Sequence, residues 1–445
     1  MSTFKVYHLN KLFDNDSATK VAFVFLLFFL LVRVIAVYVG GQEATDFVDA
    51  KSYNGYAHAI LQKHDWLTNP SYTGDYRPPV YPMLIAAVYS LFGINNFLAV
   101  YILQAFLSTL TCLYVFLFSQ RVFHDNRAAL LALFWSGIYV YFFFYAAQLL
   151  RETLIIFLFV AFLYYLFIYL GDENTKKRYL YISVVLYILL IHTDPRYIFY
   201  MPFLVFLFIL YQPIRVGIMK YISFSILVLV LMAPWLVRNY IAYDALVVIN
   251  TRCLDLRNKE ERSLNMEAYK RGIFYFGPIT VTSNPDYPTQ DERDLIKAGL
   301  NPNNRSADEI KAIKNNKYPA KSYIARKWYN IVQLWKPFDF YRSYRPFPDA
   351  RYNGTWSLKH NLASIVNYGV LLPFMLFGIY LLYKYRHKAL ILFTLPLVVH
   401  TILHVLEHGR NRYRVHIDTL IIILGCYGIV HFVLFILNWK KKGPT

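Results

Sequence analysis

Apolar residues run along this chain in long uninterrupted stretches, such as Val21 to Gly40 and Leu180 to Ile191, rather than at the three-and-four spacing of a surface helix. A bilayer core takes about 20 apolar residues per helix. That ruler predicts about ten spans, near 21–39, 97–118, 128–145, 149–170, 179–192, 196–212, 220–237, 361–383, 388–404 and 415–437. Two long polar stretches interrupt them and divide the chain into three units. These are 1–238, an N-terminal transmembrane module with a first outer loop over 40–96; 239–360, an outer segment; and 361–445, the C-terminal transmembrane helices. Within the first loop, Pro79 to Phe92 is apolar but too short to cross, which predicts a helix lying at the interface. Ala320 to Trp335 reads as an amphipathic helix with a Trp-rich apolar side, part of a small cap. The first apolar run is too long for a cleaved signal peptide, and no convincing small-residue cleavage site follows it. No internal repeat or low-complexity tract is visible.

Composition strengthens the membrane reading: 57% of the 445 residues are hydrophobic, 19% aromatic and only 16% charged. The net charge of +19 would suggest nucleic acid in a soluble protein. Here much of the basic excess sits in short connections, and with a cytoplasmic amino terminus every inner segment is basic. Lys5, Lys11 and Lys20 lead, followed by Arg121 and Arg127, Lys176 to Arg178, Arg215 and Lys220, Lys384 to Lys388, and Lys440 to Lys442. No base-stacking module accompanies them, so nucleic acid is excluded as a partner. The expected location is the cytoplasmic (inner) membrane, multi-pass, with the long loops on the extracytoplasmic face. Two of the three cysteines, Cys112 and Cys426, lie in apolar runs, so no disulfide framework or zinc cluster can be built from them.

Several charges break the orientation rule. Arg151, Arg196, Arg238 and the cluster Arg410, Arg412 and Arg414 lie at the outer helix ends, and Arg33 lies inside the first span. Ion pairs with Glu152, Asp194 and Glu407 would explain them singly. As a set they suit a lipid-borne phosphate, because guanidinium donors pair with phosphate oxygens in bidentate geometry. After the first span, Asp46 and Asp49 stand three residues apart, on one side of a helical turn. Either could act as a general base on a hydroxyl; equally, Asp46 could cap a helix and Asp49 pair with Lys51 or Arg77. His400, His404 and His408 share a helix face with Glu407 beside them, a spacing that can bind a metal, but the order is not that of a zinc protease. Glycine-rich phosphate loops and Gly-x-Ser-x-Gly elbows are missing.

One set of segments, in order, resembles a known family. Asp49-x-x-x-Tyr53, Ala57, Arg77-Pro78-Pro79-Val80-Tyr81-Pro82 and Leu91-Phe92-Gly93 resemble the first outer loop of the C-type glycosyltransferase (GT-C) superfamily. The branch is that of the dolichyl-phosphate-mannose protein mannosyltransferases and the bacterial lipid A aminoarabinose transferases. Glu152 opening a span, Pro195-Arg196, Pro234-Trp235-x-x-Arg238-Asn239 and Arg412-Tyr413-Arg414 extend the resemblance from about residue 20 to 430. Pro195-Arg196 inverts the usual order, and the loop offers two acids; Asp49 matches the catalytic position better by its distance from Tyr53.

The resemblance implies an all-α polytopic GT-C-like bundle of about ten transmembrane helices, with juxtamembrane helices in the first outer loop and a small outer cap. It implies transfer of a sugar from a polyprenyl-phosphate carrier to a glycan, lipid or protein acceptor, with inversion at the anomeric carbon. Asp49, with Asp46 second, is the expected general base. Tyr53, Arg77, Arg151, Glu152, Arg196 and Arg238 are expected to bind substrate, as are His408, Arg410, Arg412, Tyr413 and Arg414. No cofactor is required by these residues; the superfamily has metal-dependent and metal-independent branches, which leaves a divalent metal open. An O-antigen ligase or polysaccharide polymerase would share the outer basic residues but lack an essential acid after the first span. A lipid-linked sugar transporter would place acids mid-bilayer and carry matching halves.

Overall fold

A computed structural model describes residues 15–40, 48–62, 77–171, 177–243, 248–249, 274–276, 279–281, 323–337, 362–385, 387–406 and 411–442. Among these described residues, seven helices are long and apolar enough to cross a membrane: Asn15–Val39, Phe97–Phe123, Glu152–Gly171, Ile214–Ile241, Leu362–Lys384, Ala389–Leu406 and Arg412–Trp439. An eighth span is a pair, Asn126–Ile138 and Val140–Ala146, bent by 48°. The remaining two expected crossings, 179–192 and 196–212, are the shorter apolar helices Arg178–Thr193 and Pro195–Tyr211.

We number the helices α1 (Asn15–Gly40), α2 (Val48–Gln62), α3 (Val80–Phe92), α4 (Phe97–Phe123), α5 (Asn126–Ile138), α6 (Val140–Ala146), α7 (Glu152–Gly171), α8 (Arg178–Thr193), α9 (Met201–Tyr211) and α10 (Ile214–Tyr243). After them come α11 (Tyr323–Trp335), α12 (Leu371–Lys384), α13 (Ala389–Leu406) and α14 (Asp418–Lys442). A short antiparallel pair, Phe274–Phe276 with Ile279–Val281, is a β element that the all-helical expectation did not contain. Helix α7 is apolar on every side and is buried over most of its length, as a central helix must be. Helices α1 and α10 instead expose rows of Phe, Leu, Ile and Val outward, the pattern of a lipid-facing wall.

The expected single span at 128–145 is broken at Tyr139, whose extended backbone (φ −67°, ψ 111°) interrupts the helix. The freed amide of Val140 donates to Asn367 Oδ1 at 3.1 Å, and Trp135 Nε1 donates to the Asn367 carbonyl at 2.8 Å. A backbone break in a membrane domain survives only where other groups take over its hydrogen bonds, and Asn367 does so here. The break between α8 and the 3₁₀ turn Pro195–Tyr200 has a local cause: Pro195 pushes Asp194 to extended backbone (φ −141°, ψ 108°). Helices α12 and α14 approach through glycines. A Cβ on Gly428 would stand 2.0 Å from the Phe374 carbonyl oxygen, and one on Gly378 2.5 Å from that of Leu424.

Two ends of the bundle can be distinguished. At one, Asn126 donates to Asn15 Oδ1 at 3.1 Å, and Phe123 stacks on Tyr427 with centroids 4.2 Å apart. At the other, α2, α3 and α11 cover the helix ends. The interfacial helix expected over 79–92 is α3, and the amphipathic helix expected over 320–335 is α11. Lys327 Nζ and Asn330 Nδ2 of α11 donate to the carbonyls of Leu406 and Val405 (2.8 and 3.0 Å), capping the last turn of α13. Arg33, inside the first span, has no ion pair among the described residues: fully buried, it donates to Ser108 Oγ, Cys112 Sγ and the Ser136 carbonyl and lies 4.5 Å from the Phe143 ring centroid.

Candidate active site

A chain of contacts seats α2 on the bundle. Tyr53 of α2 packs edge-on against Tyr81 of α3, with centroids 4.9 Å apart. The Tyr81 hydroxyl donates to Gln104 of α4 at 2.7 Å, and Gln104 Nε2 donates to the carbonyls of Ala146 and Gln148 (3.0 and 2.7 Å). One buried glutamine therefore fixes both the platform under Asp49 and the connection that delivers Arg151 and Glu152. On the far side of α2, Tyr89 donates to Asn54 Oδ1, and His58 bonds Asn95 Oδ1 at 2.7 Å.

Asp49 opens α2, where the helix N-terminus favours a carboxylate. Its two oxygens receive two different guanidinium groups: Arg77 Nη2 at 2.6 Å on Oδ1 and Arg412 Nη1 at 2.8 Å on Oδ2. Arg77 also donates to Ser52 Oγ at 3.1 Å and lies 5.0 Å from the Tyr53 ring centroid. Arg412 pairs with Glu152 as well, bridging α2 to the start of α7. Burial alone would push the Asp49 carboxyl up, but the Arg412 and Arg77 charges outweigh it and hold the carboxyl well below the usual carboxylate range. The buried Tyr53 hydroxyl and Glu152 Oε2 beside this network have no hydrogen-bond partner among the described residues. Burial raises the Tyr53 hydroxyl above its ordinary value.

A second ion-pair cluster adjoins the first through Arg151, the neighbour of Glu152, and Tyr413, the neighbour of Arg412. Arg151 donates to Asp194 Oδ2 at 3.1 Å and to the Thr193 carbonyl at 2.8 Å. Arg196 embraces the same carboxylate through Nε (2.9 Å to Oδ1) and Nη2 (2.5 Å to Oδ2) and lies 4.3 Å from the Tyr413 ring centroid. Burial would raise Asp194 too; Arg151 and Arg196 instead hold it well below the usual range.

Residues 76–237 match the family profile of the dolichyl-phosphate-mannose-protein mannosyltransferases. The archaeal oligosaccharyltransferase AglB from Archaeoglobus fulgidus, solved with an inhibitory peptide and a dolichol-phosphate, superposes with TM-score 0.55 at 14% identity, over 95% of this chain and 52% of that one. ArnT from Cupriavidus metallidurans gives 0.54 at 11% identity, over 92% and 60%. This is the GT-C fold. The chain spans about half to three-fifths of the length of these two GT-C structures. No curated protein sequence matches it significantly.

Within the GT-C bundle, the sequence-selected residues separate into groups. Asp49, Tyr53, Arg77, Glu152 and Arg412 come together; Arg151, Arg196 and Tyr413 form the adjoining cluster. Arg414, expected beside Arg412, points elsewhere: fully buried, it pairs with Asp418 at 3.0 Å, donates to the Lys336 carbonyl at 3.2 Å and lies 3.4 Å from the Tyr368 ring centroid. Tyr139 closes that group by donating to Asp418 Oδ2 at 2.7 Å. Arg412 and Arg414 stand two positions apart in the helical turn Asn411–Arg414, so they leave it in different directions. Arg238 donates to Asn239 Oδ1 and lies 5.0 Å from the Trp235 ring centroid, near the end of α10. Asp46, His408, Arg410 and Glu407 lie outside the described residues. Two partners were not among the expected site residues: Asp194, although its likeness to a counter-ion was legible, and Ser52, whose position one turn after Asp49 is the signal that could have found it.

Proposed function

We propose that this protein is a membrane glycosyltransferase that moves a sugar from a polyprenyl-phosphate carrier to an acceptor hydroxyl, working at the extracytoplasmic face. The observation that carries the reading is Asp49 between Arg77 and Arg412, with Arg412 shared by Glu152, at the end of a GT-C bundle. The match of residues 76–237 to the mannosyltransferase profile supports the same chemistry. In this scheme the lipid phosphate enters beside the guanidinium groups and draws Arg412 away from Asp49. The freed carboxylate accepts the acceptor's hydroxyl proton as that oxygen bonds to the anomeric carbon. The bond from the anomeric carbon to the phosphate oxygen breaks, and its electron pair leaves with the carrier phosphate. Arg412, with Arg77, Arg151 and Arg196 around it, stabilises the charge that grows there. A single displacement of this kind inverts the anomeric centre. The acceptor is a glycan, lipid or protein hydroxyl.

The test is transfer from a panel of polyprenyl-phosphate sugars by the purified chain in detergent, with radiolabelled sugar as the readout. Asp49→Asn should lose turnover by about 10²- to 10⁴-fold, the usual worth of a positioned base. Undiminished turnover would end the assignment of Asp49.

A further inference from the structure

A second constellation lies in the bundle, separate from Asp49. His400 and His404 of α13 and His416 of the 3₁₀ turn Val415–Ile417 bring one ring nitrogen each to within 4.8 Å of one another. All three are buried, with exposures of 1%, 2% and 1%. We propose that they form a three-imidazole site for a divalent transition metal of the zinc class.

The case rests on how the ring nitrogens are occupied. His416 has neither nitrogen hydrogen-bonded, although both are buried. Buried polar atoms in proteins are almost always partnered, and an imidazole with both nitrogens unmet is a group waiting for a ligand. His400 Nε2 donates to the Tyr413 carbonyl at 2.9 Å, which fixes the proton there and leaves Nδ1 with its lone pair. A backbone acceptor on the far nitrogen is the arrangement that orients metal-bound histidines. That lone pair now takes the Tyr200 hydroxyl at 2.9 Å, a proton that can rotate away. His404 Nδ1 accepts from Arg196 Nη1 at 3.2 Å. If the ion takes this nitrogen, a weak contact is exchanged for a metal–nitrogen bond, and Arg196 keeps Asp194 through Nε and Nη2.

The donor set selects the kind of ion. Three neutral imidazole nitrogens offer no oxygen ligand, and the guanidinium groups of Arg151 and Arg196 stand nearby on Asp194. Hard ions such as magnesium and calcium, which need oxygen ligands, are disfavoured; zinc, cobalt and nickel bind neutral imidazole strongly. The ion would tie α13 to the turn that directly follows Arg412 and Tyr413. This inference does not depend on the transferase reading.

The purified full-length chain is loaded with Zn²⁺, desalted, and its metal measured by plasma mass spectrometry. About one zinc per chain is expected, the stoichiometry of a single site with three protein ligands and water in the fourth position. His416→Ala should bind at least about tenfold more weakly, the least that losing a supporting group costs a metal site. No retention by the wild type, or equal retention by His416→Ala, overturns the proposal. Should His416→Ala fail to fold, Co²⁺ loading of the wild-type chain decides. Visible d–d bands of a tetrahedral centre without a thiolate charge-transfer band support the site; a spectrum of octahedral aqueous cobalt overturns it.

Discussion

Arg412→Ala probes the proposed chemistry most directly, because this one side chain bonds both acids of the site. Two effects follow and they can be separated. Glu152 is only 1% exposed and loses its ion partner, and breaking a buried pair costs about 3–5 kcal/mol. Asp49 keeps Arg77 and is 29% exposed at the side chain, so water screens its share and the total should lie at the lower end, about 3 kcal/mol. Catalysis loses a donor aimed at the leaving phosphate, which costs about 10²- to 10³-fold in kcat. The Asp49 carboxyl rises once one of its two cations is gone, so the acid limb of the pH–rate profile moves to higher pH. Arg412→Ala with Glu152→Gln removes the stranded charge and should recover much of the stability while transfer stays low. Arg412→Lys keeps the charge but not the two-point grip and should be intermediate. The assays are thermal unfolding in detergent and sugar transfer from the polyprenyl-phosphate donor. A folded Arg412→Ala chain with kcat within about threefold of wild type, far short of the 10² expected for a lost donor, would refute the role given to Arg412.

Other expectations are structural. Asp418→Asn strands fully buried Arg414 and should cost about 3–5 kcal/mol, whereas Arg414→Met with Asp418→Leu should restore most of it; equal melting temperatures for single and double variants would contradict this. Gly428→Val should force α12 and α14 apart and lower stability by about 1–3 kcal/mol, read from chemical denaturation, since the Phe374 carbonyl leaves no room for a Cβ. Asp49 and Asp194 are held below the ordinary value near 4. Their contribution to stability is therefore full above about pH 4 and is lost as pH falls toward their folded values. Asp194→Asn should flatten that acid limb in a melting-temperature series, and an unchanged slope would deny it.

The spans were legible because hydrocarbon demands continuous apolar sequence, and α3 and α11 because a short apolar run and a Trp-rich stripe have few other uses. The break at Tyr139 was not, since its cause is Asn367, more than 200 residues away. The acids and arginines could be selected by their cost in a membrane, yet not sorted. Nothing in Arg412-Tyr413-Arg414 tells that one arginine meets Asp49 and the other Asp418; the turn decides that. Helical spacing likewise grouped His400 and His404 with His408, whereas the turn before α14 brings His416 to them.

Counting only the ion pairs among the described residues, the adjoining clusters set Arg77, Arg412, Arg151 and Arg196 against Asp49, Glu152 and Asp194, one positive charge in excess. A sugar phosphodiester brings a single negative charge and would leave the region neutral. Once the sugar has gone and Asp49 has released the proton it accepted, the carrier is a monoester with a second ionisation near neutrality, and its second charge overdraws what the four guanidinium groups can match. Under the proposed reaction the spent carrier is thus the poorer guest, and electrostatics alone would favour its departure over its return.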